Sequence, residues 1–201
     1  MVVTTCWSDK LKFSILEADL RNVGDTTTPK ASEDNNALWP AANTQYLRGA
    51  IGDRGTAPNN TDVNVQPGQE VEYTVYFLSS GGSPVRDVKF CDLIPAKMTY
   101  VPGSMQLGYN TGTLADPTGA GTTLTDVADT DQGTSYAGGT SAPSICTNSN
   151  ANGGDDNNSS TNDTGAVFVQ IVDAATTMPY ATAAGTPAGS YGFVRFRAKV
   201  D

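Results

Sequence analysis

The chain has no histidine among its 201 residues, and this absence removes several kinds of active site at once. Histidine is the usual general base near neutral pH, a frequent zinc ligand and a member of the Ser-His-Asp and Cys-His arrangements. An enzyme built on this sequence must rely on carboxylates, lysine or tyrosine. Because no spacing marks such a group, we expect a non-enzymatic protein; a carboxylate-based hydrolase is the remaining enzymatic alternative.

Charge and long apolar runs are also scarce. Only 16% of the residues are charged, and the net charge is −9. Because an acidic surface repels phosphate backbones, we expect no nucleic-acid partner. No apolar run approaches the roughly 20 residues of a membrane-spanning helix, so no membrane insertion is expected. The first residues show neither the basic start nor the apolar stretch of a signal peptide, so an exported protein is represented here by a mature or excerpted form.

What the sequence does contain is typical of β-structure. Thr, Val, Tyr and Phe occur in short alternating runs between Gly and Pro turns, whereas helical periodicity is almost absent. The clearest alternation lies at 71–78, 85–93 and 192–200. The predicted fold class is therefore all-β, an immunoglobulin-like antiparallel β-sandwich of about seven strands.

The chain divides into two parts on this pattern. Residues 1–44 form an N-terminal strand segment with a polar linker, and residues 45–201 form the sandwich, which carries a polar insertion at 104–165. The linker contains one apolar spot, Leu38-Trp39-Pro40. Weak strand candidates within the insertion lie at 122–127 and 144–146.

The N-terminal segment holds surplus strands. Leu11, Phe13 and Ile15 alternate with less apolar neighbours, and Trp7 precedes them. A surplus apolar strand must pair with a sheet edge, because unpaired backbone groups are costly when buried. It can add to its own sandwich, belong to a small N-terminal subdomain, or complete a neighbouring subunit as a donor strand.

The three cysteines lack the C-x-x-C spacing of zinc or thioredoxin-like sites. Alternation directs Val88 and Phe90 to the core, which places Cys91 on the opposite face of its strand. A Cys91–Cys146 disulfide would pin the polar insertion to that outer face. Cys6 is then left as a buried free thiol or as a bond to another chain. Disulfides persist in exported proteins, so we predict an extracellular, cell-surface location.

One acidic cluster predicts a possible cation site. Asp126, Asp129 and Asp131, together with Gly133, resemble the closely spaced oxygen ligands that calcium takes in glycine-bearing loops. A solvated loop explains the same residues equally well. Calcium is therefore the one cofactor that the sequence suggests. If the loop is only solvated, we expect no cofactor.

Residues 65–104, with 192–200, resemble the repeat domain of bacterial and archaeal surface proteins called domain of unknown function eleven. The matching elements are Pro67-Gly68, Tyr73-Thr74-Val75, Gly81-Gly82, Val88-Lys89-Phe90, Asp92-Leu93-Ile94-Pro95 and Tyr100-Val101-Pro102-Gly103-Ser104. Cys91 and the 77–81 turn look most like cyanobacterial members, whereas the insertion departs from the family. The resemblance implies an extracellular immunoglobulin-like module without catalytic residues.

These observations predict a structural subunit of a surface filament or matrix. It would form a homopolymer by N-terminal strand addition to a neighbouring sandwich, with Trp7, Leu11, Phe13 and Ile15 at the subunit interface. The alternative is a surface adhesin whose long loops bind a glycan or a protein, with calcium as a possible requirement.

Overall fold

A computed structural model describes residues 2–4, 13–22, 29–30, 38, 46–47, 65–109, 121–146 and 162–201. These residues form an all-β structure in which two antiparallel sheets pack face to face, as predicted. Helical structure among them is limited to two three-residue 3₁₀ turns, at Ser144–Cys146 and Ala188–Ser190. No helix in this part of the chain is long and apolar enough to cross a membrane.

Twelve strands lie within the described ranges. They are β1 Val2–Thr4, β2 Phe13–Asn22, β3 Pro29–Lys30, β4 Tyr46–Leu47, β5 Glu70–Ser79, β6 Val88–Leu93, β7 Met98–Tyr100, β8 Gln106–Gly108, β9 Thr122–Thr123, β10 Gly133–Tyr136, β11 Ala166–Val172 and β12 Tyr191–Val200. Sheet A has the order β1-β6-β11-β10. Sheet B has the order β2-β5-β12-β8-β9, with β7 paired to the far end of β12.

The core lies between the two sheets. Alternate residues of the long strands point into it, as period-two patterning requires. Its members on β5, β6, β11 and β12 are Val75, Phe77, Val88, Phe90, Val167, Val169, Ile171, Val172, Val194, Phe196 and Ala198. The predicted alternation of β12 and of β6 is thus confirmed.

A bulge in β11 puts two consecutive residues into this core. The register with β6 shifts between Gln170 and Val172, so both Ile171 and Val172 are buried. The Gln170 amide donates to the carbonyl oxygen of Val172 at 2.6 Å. This side chain bridges backbone groups at the point where the bulge interrupts the ladder.

Three details differ from the sequence-based expectation. The sandwich, predicted to begin at residue 45, does not open with residues 46–47, because they form β4 and pair with β3 in a separate two-stranded sheet. The candidate strand 144–146 is a 3₁₀ turn closed by the Cys146 amide, which donates to the carbonyl of Pro143 at 2.7 Å. Strand β10 was not predicted, because Gly-Thr-Ser-Tyr shows no apolar alternation.

The two N-terminal strands add to opposite sheets of the same chain. β1 pairs with β6 at the edge of sheet A, and β2 pairs with β5 at the edge of sheet B. Of the three placements open from the sequence, a single copy of the chain takes the first. The N-terminal segment therefore supplies one edge strand to each sheet. The strands that it covers, β5 and β6, are consecutive in the sequence although they lie in different sheets.

Candidate subunit interface at the sandwich edge

The edge formed by β5 depends on β2. β5 is ten residues long, and its residues alternate between the core, as Val75 and Phe77 do, and the outer face of sheet B, as Tyr76 and Leu78 do. All four are at most 2% exposed. A long apolar strand left at a sheet edge is a template for association with another chain. The backbone of β5 therefore needs a covering strand, and β2 supplies one along nearly its whole length.

Two of the four predicted interface residues lie in β2. The backbone register places Phe13 opposite Ser79 and Ile15 opposite Phe77. Trp7 and Leu11 lie outside the described residues, as does Cys6. In a single copy of the chain this strand extends to Asn22 and pairs with β5 of the same chain. A place for these residues at a subunit interface stays a prediction.

A register shift between Ile15 and Glu17 explains this longer strand. Apolar residues stand at odd positions up to Ile15 and then at even positions, at Ala18 and Leu20. A bulge inserts one residue and so restores the alternation on the far side. After the bulge, Ala18 is opposite Val75 and Leu20 is opposite Tyr73.

The outer face of sheet B carries a second apolar cluster. Tyr76, Leu78, Tyr191 and Phe193 are at most 1% exposed and pack with Ala181, and Leu38 of the linker joins them. The carbonyl of Leu38 accepts a hydrogen bond from the Gly185 amide at 3.0 Å. Leu38, from the apolar spot noted in the linker, thus anchors the linker on this face. Trp39 and Pro40 lie outside the described residues.

The same face also holds a buried ion network. The Glu72 side chain is 2% exposed and lies 3.0 Å from Arg197 Nε and 3.6 Å from Arg195 Nε. Arg195 Nε also donates to Thr74 Oγ1 at 3.1 Å, and its guanidinium lies 4.8 Å from the centre of the Phe193 ring. Burying a charge is costly unless it is paired, so the Glu72 carboxylate can be buried on this face because the two arginines pair with it.

Sequence reasoning missed this network, because alternation alone directs Glu72, Arg195 and Arg197 toward solvent. A signal was available in the sequence. A glutamate on one strand and two arginines at alternate positions on another are complementary if the strands pair, and they pair here with Arg197 opposite Glu72. The pairing of strands distant in sequence had to be known first.

The outer face of sheet A is covered differently. Cys91 and Cys146 form a disulfide with an S–S distance of 2.05 Å, which is the predicted pair. The disulfide and Ala166 are buried with Leu93, Tyr136, Ala142, Ile145 and Phe168 around them. The insertion is thereby bonded to β6, as the alternation of Val88 and Phe90 implied. A disulfide fits a protein of an oxidising compartment.

Among the three acidic residues predicted to bind calcium, Asp126 contacts the loop after β7. Its carboxylate accepts hydrogen bonds from the Tyr100 hydroxyl at 2.6 Å and from the Gly103 amide at 2.7 Å. Burial, and secondarily the bond to Asp126, raises the pKa of Tyr100 well above its usual value. Asp126 thus fastens this part of the insertion to β7 and to the loop that follows it.

Asp129 and Asp131 organise their own loop. The Asp131 carboxylate accepts from the amides of Thr125 at 2.6 Å and Gly133 at 2.8 Å, and Asp129 accepts from the Asp131 amide at 2.9 Å. Bonds from the Asp131 amide and the Thr125 hydroxyl lower the pKa of Asp129. The described part of the chain contains no group of three Asp, Glu, Cys or His side chains placed to hold a metal. Calcium binding here stays a prediction.

The space between the sheets contains two groups whose ionisation is opposed by burial. Burial, with the nearby Asp92 carboxylate as a smaller cause, raises the pKa of Tyr73 to about 12. Burial also raises the pKa of Asp92. Tyr73 stacks on Phe196 with ring centres 4.9 Å apart, and its hydroxyl donates to the sulfur of Met98 at 3.1 Å.

A cleft of about 500 Å³ opens beside the β11 bulge. Ile171 and Val172 contribute to its floor, and Tyr109, Asp173 and Thr176 lie along it. One oxygen of Asp173 accepts from the amide and the hydroxyl of Thr176, both at 2.6 Å. The cleft thus combines an aromatic ring with polar side chains that are held in place.

Comparison of the chain with family models, with curated proteins and with solved structures finds no match in any of the three. The resemblance to the surface-protein repeat family therefore stays a prediction.

Proposed function

We propose that this chain is a non-enzymatic structural subunit of an extracellular surface filament or matrix. Copies would polymerise when the N-terminal strands of one pair with the sandwich of the next. The observation that carries the proposal is the place of β2, which covers the ten-residue apolar strand β5 at the edge of sheet B. The edge requires a strand, and the strand comes from a segment that is remote in the sequence.

Chain length supports exchange of this strand between copies. Residues 23–64 separate β2 from the 65–109 range that contains β5. An extended chain spans about 3.5 Å per residue, so a connector of this length can reach a neighbouring molecule once the β3–β4 pair and the Leu38 contact within it are released. The exchanged form would make the same backbone hydrogen bonds, each contributing about 1 kcal/mol net. Exchange of an identical element is a low-cost route to assembly.

We also propose an extracellular location and membership of the surface-protein repeat family. The disulfide supports export to an oxidising environment, and an extracellular location is its natural extension. Consecutive strands β5 and β6 lie in opposite sheets, which supports an immunoglobulin-like arrangement. Membership of the surface-protein repeat family is part of the same proposal and rests on the motifs at 65–104.

Cross-linking between two variants tests the exchange. Asn22 of β2 is directly opposite Val71 of β5. One chain carries Asn22→Cys and the other Val71→Cys, both with Cys6→Ser, and they are co-expressed under oxidising conditions. We expect a covalent dimer of the two chains and fibres of unmodified protein in negative-stain micrographs.

The matched control replaces Val71→Cys by Thr99→Cys, an exposed position on β7 at the far side of sheet B. This pair should not cross-link. If Asn22→Cys and Val71→Cys react only when both are in one chain, and the native protein shows no fibres, strand addition is confined to the single molecule and the proposal is wrong.

A second candidate function is an adhesin that binds a glycan or a protein. The cleft beside the β11 bulge favours it, because an aromatic ring with fixed polar groups is a common setting for small-ligand binding. Binding to a glycan array that is lost in the Tyr109→Ala variant would support this function. If a chelator also abolishes the binding, calcium is required for it. An array without signal would count against this candidate.

A further inference from the structure

The outer face of sheet B carries a charged row that crosses three strands. We define this row by the residues that are opposite one another: Glu17, Asp19 and Arg21 on β2; Tyr76, Thr74 and Glu72 on β5; Phe193, Arg195 and Arg197 on β12. Within it, Arg21 and Arg197 are opposite Glu72 on its two sides. Asp19 and Arg195 are opposite Thr74 on its two sides.

We propose that the charged row is a register lock, in which the buried carboxylate of Glu72 selects Arg21 and so fixes how the N-terminal strand docks. Residues directly opposite each other in an antiparallel pair have Cβ atoms about 5 Å apart, which is close enough for opposite charges to stabilise the pair and for like charges to destabilise it. Arg21 is the one basic residue of β2. The occupant that this surface fits is the segment 13–22, from the same chain or from a second copy.

Slipping the strand by one residue is opposed by patterning. It would bring Leu20 or Asn22 opposite Glu72 and would move Asp19 to a position opposite Val75 or Tyr73. Val75 faces the core between the sheets. A slip of one residue exchanges the two faces of a strand, so it would direct a carboxylate toward that core.

Slipping by two residues keeps the faces but is opposed by charge. In one direction Asp19 comes opposite Glu72, and two carboxylates oppose each other where the Glu72 side chain is 2% exposed. In the other direction Arg21 comes opposite Thr74, whose other neighbour is Arg195. Like charges opposite each other destabilise a strand pair, most of all where water is excluded.

The exchanged form of this inference rests on the proposed function, whereas the lock itself does not. It acts on β2 whether the strand belongs to its own sandwich or to another. A polymer would need such a device more than a monomer does, because a slipped donor strand would misplace every later subunit.

A double-mutant cycle between positions 21 and 72 tests the lock in the full-length chain. Arg21→Glu should lower the Tm by about 3 °C or more. The same substitution in a Glu72→Gln background should cost less than half as much, because no carboxylate then faces the new one. The matched control is Arg86→Glu, an equal change of charge at an exposed position that lies outside the row.

The cross-link between Asn22→Cys and Val71→Cys gives an independent readout of register. Its yield should fall severalfold with Arg21→Glu and stay unchanged with Arg86→Glu. This measurement needs no substitution at Glu72, so it decides the question even if Glu72→Gln prevents folding. Equal losses in both backgrounds, or an unchanged cross-link yield, would overturn the register lock.

The two proposals fail separately. If positions 21 and 72 are coupled but the two-chain cross-link never forms, the lock holds within one molecule and polymerisation is wrong. If fibres form and positions 21 and 72 are uncoupled, polymerisation stands and the lock is wrong.

Discussion

The two outer faces of the sandwich are closed by different means. Sheet A is covered by a segment close in sequence to its own strands and bonded to β6 through the Cys91–Cys146 disulfide. Sheet B is closed by non-covalent contacts, in which Leu38 of the linker packs against the apolar cluster of the outer face and the same face holds an ion network. One cover is permanent under oxidising conditions, whereas the other can be undone by unfolding a segment.

This difference explains why exchange is proposed for β2 at the edge of sheet B and not for the segment that covers the outer face of sheet A. The segment that covers sheet A cannot leave while the disulfide is intact. β2 is held to sheet B by its backbone ladder with β5, and Leu38 of the linker is held by packing and one hydrogen bond; a second copy can supply these contacts equally well.

The largest effect should come from the aromatic centre of the sheet B face. Phe193 is 1% exposed and lies against Gly108 of β8, where an added Cβ would collide with its ring. Phe193→Ala should lower the free energy of unfolding by about 3–5 kcal/mol, because it leaves a cavity in a closed layer.

The matched variant is Phe168→Ala on the outer face of sheet A, where the ring is only partly buried. Its loss should be clearly smaller, as measured by urea unfolding under oxidising conditions. Equal losses would mean that the two outer faces are closed to the same degree.

The second test removes the permanent cover. Replacing Cys91 and Cys146 by serine should cost about 2–4 kcal/mol, since the disulfide closes a loop across a sequence separation of 55 residues. The measurement is urea unfolding of the variant and of the oxidised parent. Cys6→Ser is the control and should leave the unfolding curve of the single molecule unchanged. A parent protein that is equally stable with and without reductant would contradict this role of the disulfide.

The third test addresses the space shared by both sheets. Because burial raises the pKa of Tyr73 to about 12, the folded state keeps its proton at pH values where the unfolded chain, with a pKa near 10, loses it. Unfolding then releases a proton, so stability is complete below pH 10 and falls as the pH rises from 10 to 12.

Tyr73 should account for a loss on the order of 1 kcal/mol across this range. Thermal unfolding of the parent and of Tyr73→Phe, followed as a function of pH, measures it. The variant should show a shallower decline above pH 10. Parallel declines would assign the alkaline sensitivity to other tyrosines, for instance Tyr100, whose pKa burial also raises.

The smallest effect should come from an exposed ion pair. Lys89 Nζ lies 2.8 Å from Asp87, with side chains 35% and 51% exposed, and the bond to Lys89 lowers the pKa of Asp87. Lys89→Ala should change the free energy of unfolding by about 0–1 kcal/mol, because water and salt screen such pairs. A loss comparable to that of Arg21→Glu would remove the contrast between surface pairs and the charged row.

Local pattern sufficed for the long strands and for the disulfide. β5, β6 and β12 follow from period-two alternation, and the face of Cys91 follows from Val88 and Phe90. The extension of β2 to Asn22 was missed, since the bulge after Ile15 changes which positions are apolar. β10 was missed because its residues carry no pattern, and its strand conformation comes from pairing with β11.

The all-β class, the inward faces of the long strands and the partner of Cys91 follow from local sequence pattern. Each depends on residues a few positions apart, and alternation of side chains along a strand is a local property. Tertiary structure alone decided that β1 and β2 go to different sheets, that Glu72 meets Arg195 and Arg197, and that Leu38 closes a face. Those outcomes depend on which distant strands become neighbours, and the backbone groups of any strand can pair with those of many others.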